Sequence, residues 1–186
     1  TGELEKTNEP YAIAKIAGIK LCESYNFQYN TNFKCLMPTN TFGPGDNYDL
    51  ENSHFLPALI RKIHNCKIKE KKTLELWGNG KVKRELIYVD DLADAIVYFL
   101  NKKTTKYLIN IGSGTENTID QYAKLVCKVI GVKLKIKYKD KSLIGTPRKL
   151  LDTSFAKSQG WKSNTNLKKD IIKTYDHFLS EFHSKK

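Results

Sequence analysis

Apolar residues recur along this chain with two different periods, and the alternation between them sets the expected order of elements. From Tyr11 to about Tyr29, the residues Ile13, Ile16, Ala17, Leu21 and Tyr25 fall at helical spacing. Asn8-Glu9-Pro10 supplies a start signal, with proline in the first turn. Phe33 to Met37 reads as a short strand ended by Pro38, and residues 39–53, with Gly43-Pro44-Gly45-Asp46-Asn47, read as a loop. Leu56, Leu59, Ile60 and Ile63 line the inner face of a helix from Phe55 to about Cys66. Leu74–Trp77 and Glu85–Val89 are strands separated by a Gly78-Asn79-Gly80 turn. Asp90-Asp91 caps a helix to about Leu100, and Tyr107–Ile111 is a further strand. Gly112-Ser-Gly114 turns the chain towards a helix opened by Thr118 and running to about Ile130. Leu134–Tyr138 alternates as a half-buried strand, residues 139–149 are loop, and short helices near 153–159 and 167–182 follow.

Strands that alternate with helices in this way predict an α/β protein with a mainly parallel sheet. No apolar run approaches the roughly 18 residues of a membrane span, so a soluble, cytoplasmic protein is expected, with no membrane partner. The net charge of +12 raises a nucleic-acid hypothesis. The lysines are dispersed, however, and the densest stretch, Lys67 to Lys72, reads as a solvated loop, so no nucleic-acid partner is expected. Of 32 basic residues only Arg61, Arg84 and Arg148 are arginines, which makes each a better phosphate candidate, because the guanidinium fork matches a phosphate as an ammonium does not. Cys22, Cys35, Cys66 and Cys127 form no Cys-x-x-Cys pair and read as buried free thiols. No His, Cys and carboxylate spacing suggests a metal site, so no metal is expected.

Tyr11 and Lys15 stand four apart, on one face of the first helix. An ammonium there favours the phenolate, which makes a general acid/base usable nearer neutral pH. Tyr98 and Lys102 repeat the pattern at a helix end. Only the first pair is followed by a strand and a Pro/Asn/Gly-Pro loop: Met37-Pro-Thr-Asn40, then Gly43-Pro44. Further along come Gly43-Pro-Gly-Asp-Asn47, Asn52-Ser-His54, Leu76-Trp-Gly78, Arg84-Glu85, Val89-Asp-Asp-Leu-Ala93, Asn110-Ile-Gly112 and Gly145-Thr-Pro-Arg-Lys-Leu-Leu-Asp152. In that order they resemble the GDP-L-fucose synthases, within the extended short-chain dehydrogenase/reductases, and the resemblance covers essentially the whole chain.

That resemblance implies inversion of two carbons beside the ketone of GDP-4-keto-6-deoxy-mannose, then reduction of the ketone with NADPH. It implies Tyr11 as proton donor to the ketone oxygen, Lys15 as its partner and as a hold on the nicotinamide ribose, and His54 as the epimerisation acid. Pro38, Thr39, Asn40 and Thr41, with Lys15 and His54, would line the NADP(H) side. Lys62, Trp77, Arg84 and Asp152 would bind the GDP-sugar substrate. From the residues alone His54 is also a plain helix-start histidine, where the helix N-terminus disfavours the imidazolium. Trp77 alone is also a core residue, and Arg84 a surface ion pair with Glu85 or Asp91; Arg148 is a lesser phosphate candidate. The implied fold is the C-terminal portion of a doubly wound, Rossmann-type parallel sheet plus a smaller α/β substrate domain. Residues 1–53 and 86–112 would be the remainder of the dinucleotide-binding domain; residues 54–85 and 113–186 would form the sugar-nucleotide domain. A homodimer is implied only by the resemblance.

The departures matter equally. No glycine-rich turn of the pyrophosphate-cradling kind occurs. Gly112-Ser-Gly114-Thr-Glu-Asn117 comes nearest and reads as a decoy. The family's upstream serine and cysteine are missing too, and Phe42 stands where many relatives have tyrosine, so the chain is expected to lack the N-terminal part. Competing expectations are another sugar-nucleotide epimerase or dehydratase, and a non-catalytic GDP-sugar-binding fragment or one chain of a split enzyme.

Overall fold

The computed structural model describes residues 2–139 and 146–184. Gly145 and its neighbours on the N-terminal side lie outside the described residues. A 3-10 turn, Lys6–Asn8, leads into α1 (Glu9–Tyr29). Then follow β1 (Cys35–Pro38), β2 (Asn40–Phe42), α2 (Phe55–Ile68), β3 (Thr73–Trp77), β4 (Lys83–Tyr88) and α3 (Val89–Leu100). The chain continues through β5 (Leu108–Ile111), β6 (Glu116–Thr118), α4 (Ile119–Ile130), β7 (Lys135–Lys139), β8 (Arg148–Lys149), α5 (Ser154–Ser158) and α6 (Leu167–Ser184).

Pairing is mainly parallel, as the alternation of elements required: β1 with β5, β2 with β4, β3 with β7 and β4 with β8. Among the described residues only β4 and β6 run antiparallel. Strand β4 organises the whole. Its last four residues are all buried, as expected of a strand covered on both faces. Because side chains alternate across a strand, Leu86 and Tyr88 enter one core and Ile87 the other. The first core joins Phe42, Leu56, Ile60, Ile63, Leu74 and Leu76 to Tyr122, Val126, Ile130, Ile171, Tyr175 and Phe178, beneath α2, α4 and α6. The second joins Ile87, Ile109 and Ile111 to Ala95 and Phe99 of α3, with Ala156 and Trp161 closing it.

Several local expectations need correction. Residues 40–42 lie within the expected loop but form β2, whose parallel partner, Leu86–Tyr88, is far along the chain. Helix α2 runs two residues beyond Cys66, taking Lys67 out of the expected loop; its ammonium donates to the Ile130 carbonyl at 3.1 Å. Asp90 and Asp91 do not cap α3: the N-cap is Tyr88, the aspartates lie in the first turn, and Asp91 instead accepts from Ser163 and Thr165. Gly78 and Gly80 do turn the chain, both with φ near +75°, yet they join strands of different sheets rather than a hairpin. Thr118 opens α4 with a full capping box, exchanging hydrogen bonds with Gln121. All four cysteines are free, but only Cys66 and Cys127 are buried; Cys22 and Cys35 are half-buried. Burial pushes the Cys127 thiol up to about 11.

Helix α1 is the exception to this packing. None of its residues is buried. Ile13, Ile16, Leu21, Tyr25 and Tyr29 stay exposed, and Phe27 is 94% exposed. Its anchors lie towards its C-terminal end. The Asn26 amide donates to the Phe33 carbonyl, and its oxygen accepts from the Phe33 amide and the Thr31 hydroxyl.

Candidate functional site

Helix α1 sets Tyr11 and Lys15 one turn apart, with the Lys15 ammonium 5.5 Å from the centre of the Tyr11 ring. Tyr11 is 59% exposed, so both groups face open space. The second tyrosine–lysine pair differs. Lys102 donates to the Tyr98 hydroxyl at 2.9 Å, and both donate to the Gln159 carbonyl. That pair latches the C-terminal end of α5, with the Tyr98 hydroxyl proton committed to the Gln159 carbonyl.

Pro38–Thr41 crosses from β1 to β2. The Thr39 amide donates to Ile111 and its hydroxyl to the Glu85 carbonyl at 3.2 Å. Thr41 is half-buried, whereas Pro38 and Asn40 are exposed. His54 is the N-cap of α2: its carbonyl accepts from Ala58, while its exposed ring makes no capping bond. Burial holds the Asp46 carboxyl, in the loop before α2, above its ordinary value. No hydrogen bond or ring contact among the described residues joins His54 to Tyr11.

About two turns further along α2, near the middle of the helix, Lys62 places its ammonium 5.2 Å from the centre of the Trp77 ring. Trp77 is 72% exposed at the end of β3, so it is not a core residue. Two of the expected substrate-binding residues therefore converge, and Lys62, though not Trp77, also lines a groove of about 580 Å³ with Lys69, Lys71, Lys72 and Thr73. Arg84 is half-buried on β4 and donates to the carbonyls of Lys83 (2.7 Å) and Thr146 (2.8 Å). Burial lowers its pKa, as it must for a cation withdrawn from water. The ion pair with Glu85 or Asp91 is not formed, because both carboxyls are engaged elsewhere. Asp152 is exposed, and its carboxylate accepts from the Ser154 amide at 2.9 Å, which holds it below the usual carboxylate value. Its carbonyl accepts from the Asn110 side chain. Arg148, the lesser phosphate candidate, is paired with Glu116 at 2.8 Å.

The glycine turn after β5 is closed to phosphate. Its Gly114 amide already donates to Glu85 at 2.7 Å. A Cβ on Gly112 would fall 2.4 Å from the same carboxyl, so the turn is fitted to a protein side chain. The residue that sequence reasoning overlooked is therefore Glu85. The sequence marks it only as part of the Arg84-Glu85 motif, at the head of the apolar run Leu86–Val89.

Comparison with known proteins decides the family. The model of the NAD dependent epimerase/dehydratase family matches residues 1–112. The chain belongs to this family. Among its relatives in the NAD dependent epimerase/dehydratase family, a GDP-L-fucose synthase of Sinorhizobium fredii is 48% identical over 180 residues, covering 97% of this chain and 57% of the relative. The GDP-L-fucose synthase of Escherichia coli is 42% identical over 187 residues, covering 96% of the chain and 58% of the relative. The chain thus spans somewhat more than half the length of the curated relatives it matches. Among solved structures, the GDP-D-glycero-L-gluco-heptose synthase from Campylobacter jejuni, determined in the presence of NADPH, matches with a TM-score of 0.83 at 33% identity, over 96% of this chain and 62% of that one. A GDP-L-fucose synthetase from Naegleria fowleri shares the fold, with a TM-score of 0.87 at 23% identity over 98% of this chain and 58% of that one.

Proposed function

We propose that this chain carries the sugar-nucleotide site and the tyrosine–lysine helix of an NADP(H)-dependent epimerase/reductase that converts GDP-4-keto-6-deoxy-mannose to GDP-L-fucose. The observation that supports this most is the 48% identity to a GDP-L-fucose synthase along 97% of the chain. In this reading Lys62 and Arg84 neutralise the diphosphate, Trp77 covers a flat face of the nucleotide sugar, and Asp152 accepts hydrogen bonds from it. His54 acts as an acid where a carbon beside the ketone is inverted, and Tyr11, assisted by Lys15, protonates the ketone oxygen.

Bound NADPH supplies the hydride. The residues present fit one side of that cofactor: Tyr11 and Lys15 share an open face, and Pro38–Thr41 is a candidate wall for the nicotinamide. They do not offer the pyrophosphate cradle, since the Gly114 amide is taken by Glu85. Residues 1–53 with 86–112 would be the dinucleotide-binding part, closed by Ala156 and Trp161. The remainder would be the substrate part, and a homodimer through the exposed face of α1 belongs to the same proposal. Among the described residues no helix is long and apolar enough to cross a membrane, which accords with a soluble biosynthetic enzyme.

Separate calorimetric titrations with GDP and with NADPH test this. GDP binding without NADPH binding is expected of the chain alone. Absence of GDP binding overturns the assignment of the sugar-nucleotide site. Arg84→Ala should weaken GDP binding by about 1.5–3 kcal/mol, the cost of a lost charge-assisted contact. Unchanged affinity would remove Arg84 from the site.

A further inference from the structure

The most deeply buried charged side chain among the described residues is Glu85, at 0% exposure. It lies on the face of β4 that also carries Ile87, at the wall between the two cores. No salt bridge among the described residues reaches it. One carboxyl oxygen accepts from the Gly114 amide at 2.7 Å, and the other from the Leu151 amide at 3.0 Å. A buried carboxyl is costly unless its oxygens are satisfied. A leucine or methionine would fill the same space without that cost, but neither could hold two amides from two separate segments.

The segment it holds is the one that carries Asp152. Arg84 and Glu85 grip residues 146–152 at opposite ends: Arg84 at the Thr146 carbonyl, Glu85 at the Leu151 amide. Between these points β8 pairs with β4, Lys83 opposite Arg148 and Arg84 opposite Lys149. The Asn110 amide donates to the Asp152 carbonyl and fixes the far end. The Glu85 carbonyl meanwhile accepts from the Thr39 hydroxyl in the β1–β2 crossing. One residue thus joins the turn after β5, the Asp152 segment and the candidate cofactor wall.

We infer that Glu85 is a positioning residue for the GDP-sugar site. Its carboxyl sets Leu151, and through it Asp152, at a fixed distance from Arg84, so that base or sugar and diphosphate are met together. This rests on the functional assignment proposed above. A role in shape alone would affect stability without coupling to Asp152.

The test is a double-mutant cycle in this chain, read as GDP affinity by calorimetry, with melting temperatures measured alongside. Glu85→Gln keeps the size of the side chain but turns an N–H towards one of the two amides. It is expected to weaken GDP binding roughly tenfold, the scale of a lost charge-assisted hydrogen bond. Asp152→Asn should do the same. The double variant should lose little more than either alone, because residues acting through one another are not additive. Losses that multiply, or a Glu85→Gln that melts lower yet binds GDP as the wild type does, would overturn the inference and leave the functional assignment standing. A wild type that binds no GDP would overturn both. Should Glu85→Gln fail to fold, amide hydrogen exchange in the wild type decides: added GDP should slow exchange at Leu151 and Gly114 together, and unchanged rates would sink the inference.

Discussion

Helices α1 and α4 both carry apolar residues at helical spacing, yet they meet opposite fates. In α4 the residues Tyr122, Ala123, Val126, Cys127 and Ile130 are buried, both ends are closed by a capping box and a left-handed Gly131, and α2 and α6 cover it. In α1 nothing is buried, although it is nearly twice as long. Apolar residues at helical spacing do not show what covers them: those of α4 gather on one face, whereas those of α1 are spread around the helix. In α4 the cover is within the chain. In α1 it is not among the described residues, and this is the helix that carries Tyr11 and Lys15. The substrate side of the proposed site is therefore built on a packed core, and its acid/base pair on a helix held mainly near its C-terminal end.

The strongest way to break this comparison is a matched truncation. Ile130→Ala in α4 removes a side chain that is 3% exposed and should cost about 2–5 kcal/mol. Ile16→Ala in α1, at 46% exposure, should stay within about 0.5 kcal/mol. Urea denaturation of both variants would show this, and equal losses would mean that α1 is covered after all. A finer test concerns the start of α4. Thr118→Ala removes the bond from Thr118 Oγ1 to the Gln121 amide and should cost about 1 kcal/mol by the same measurement. No loss would mean that core packing alone holds that helix.

The smallest effect is one of pH. Hydrogen bonding from Lys124 foremost, with Tyr138 adding to it, holds the Asp120 carboxyl below its ordinary value. A carboxyl with a depressed folded value contributes stability above the unfolded value of about 4 and loses it as pH falls through the folded one. The difference in melting temperature between wild type and Asp120→Asn should therefore be widest above about pH 5 and close below about pH 4. A difference independent of pH would assign the stabilisation to shape instead of charge.

Much of the fold was legible because its signals are local. Pro10 opens α1, Gly131 closes α4, and the apolar period marks α2 and α4. What was missed depends on partners distant in the chain. Residues Asn40–Phe42 are a strand only because Leu86–Tyr88 lies beside them. Glu85 reads as a surface ion-pair partner of Arg84 until the neighbouring amides of Gly114 and Leu151 are seen. The site divides in the same way. The Tyr11–Lys15 spacing is visible at four residues, and the structure brings the two together. The approach of Lys62 to Trp77 is not visible so simply, because it crosses from a helix to a strand and turns an apparent core residue into an exposed one. The repeated Tyr98–Lys102 pattern shows that spacing alone does not make an acid/base pair: what stands opposite decides.

The crossings of the chain between its two cores also order events in time. Strand β3 must await β7, some 60 residues further on, before its parallel partner exists, and such distant pairings form slowly because a long loop must be closed first. One core needs Ile171, Tyr175 and Phe178, and the other Ala156 and Trp161. A chain emerging from the ribosome therefore carries two unfinished apolar surfaces until α5, Trp161 and α6 arrive. Its hazard during synthesis is aggregation of both cores at once, and clipping α6 before assembly would leave the first of them permanently open.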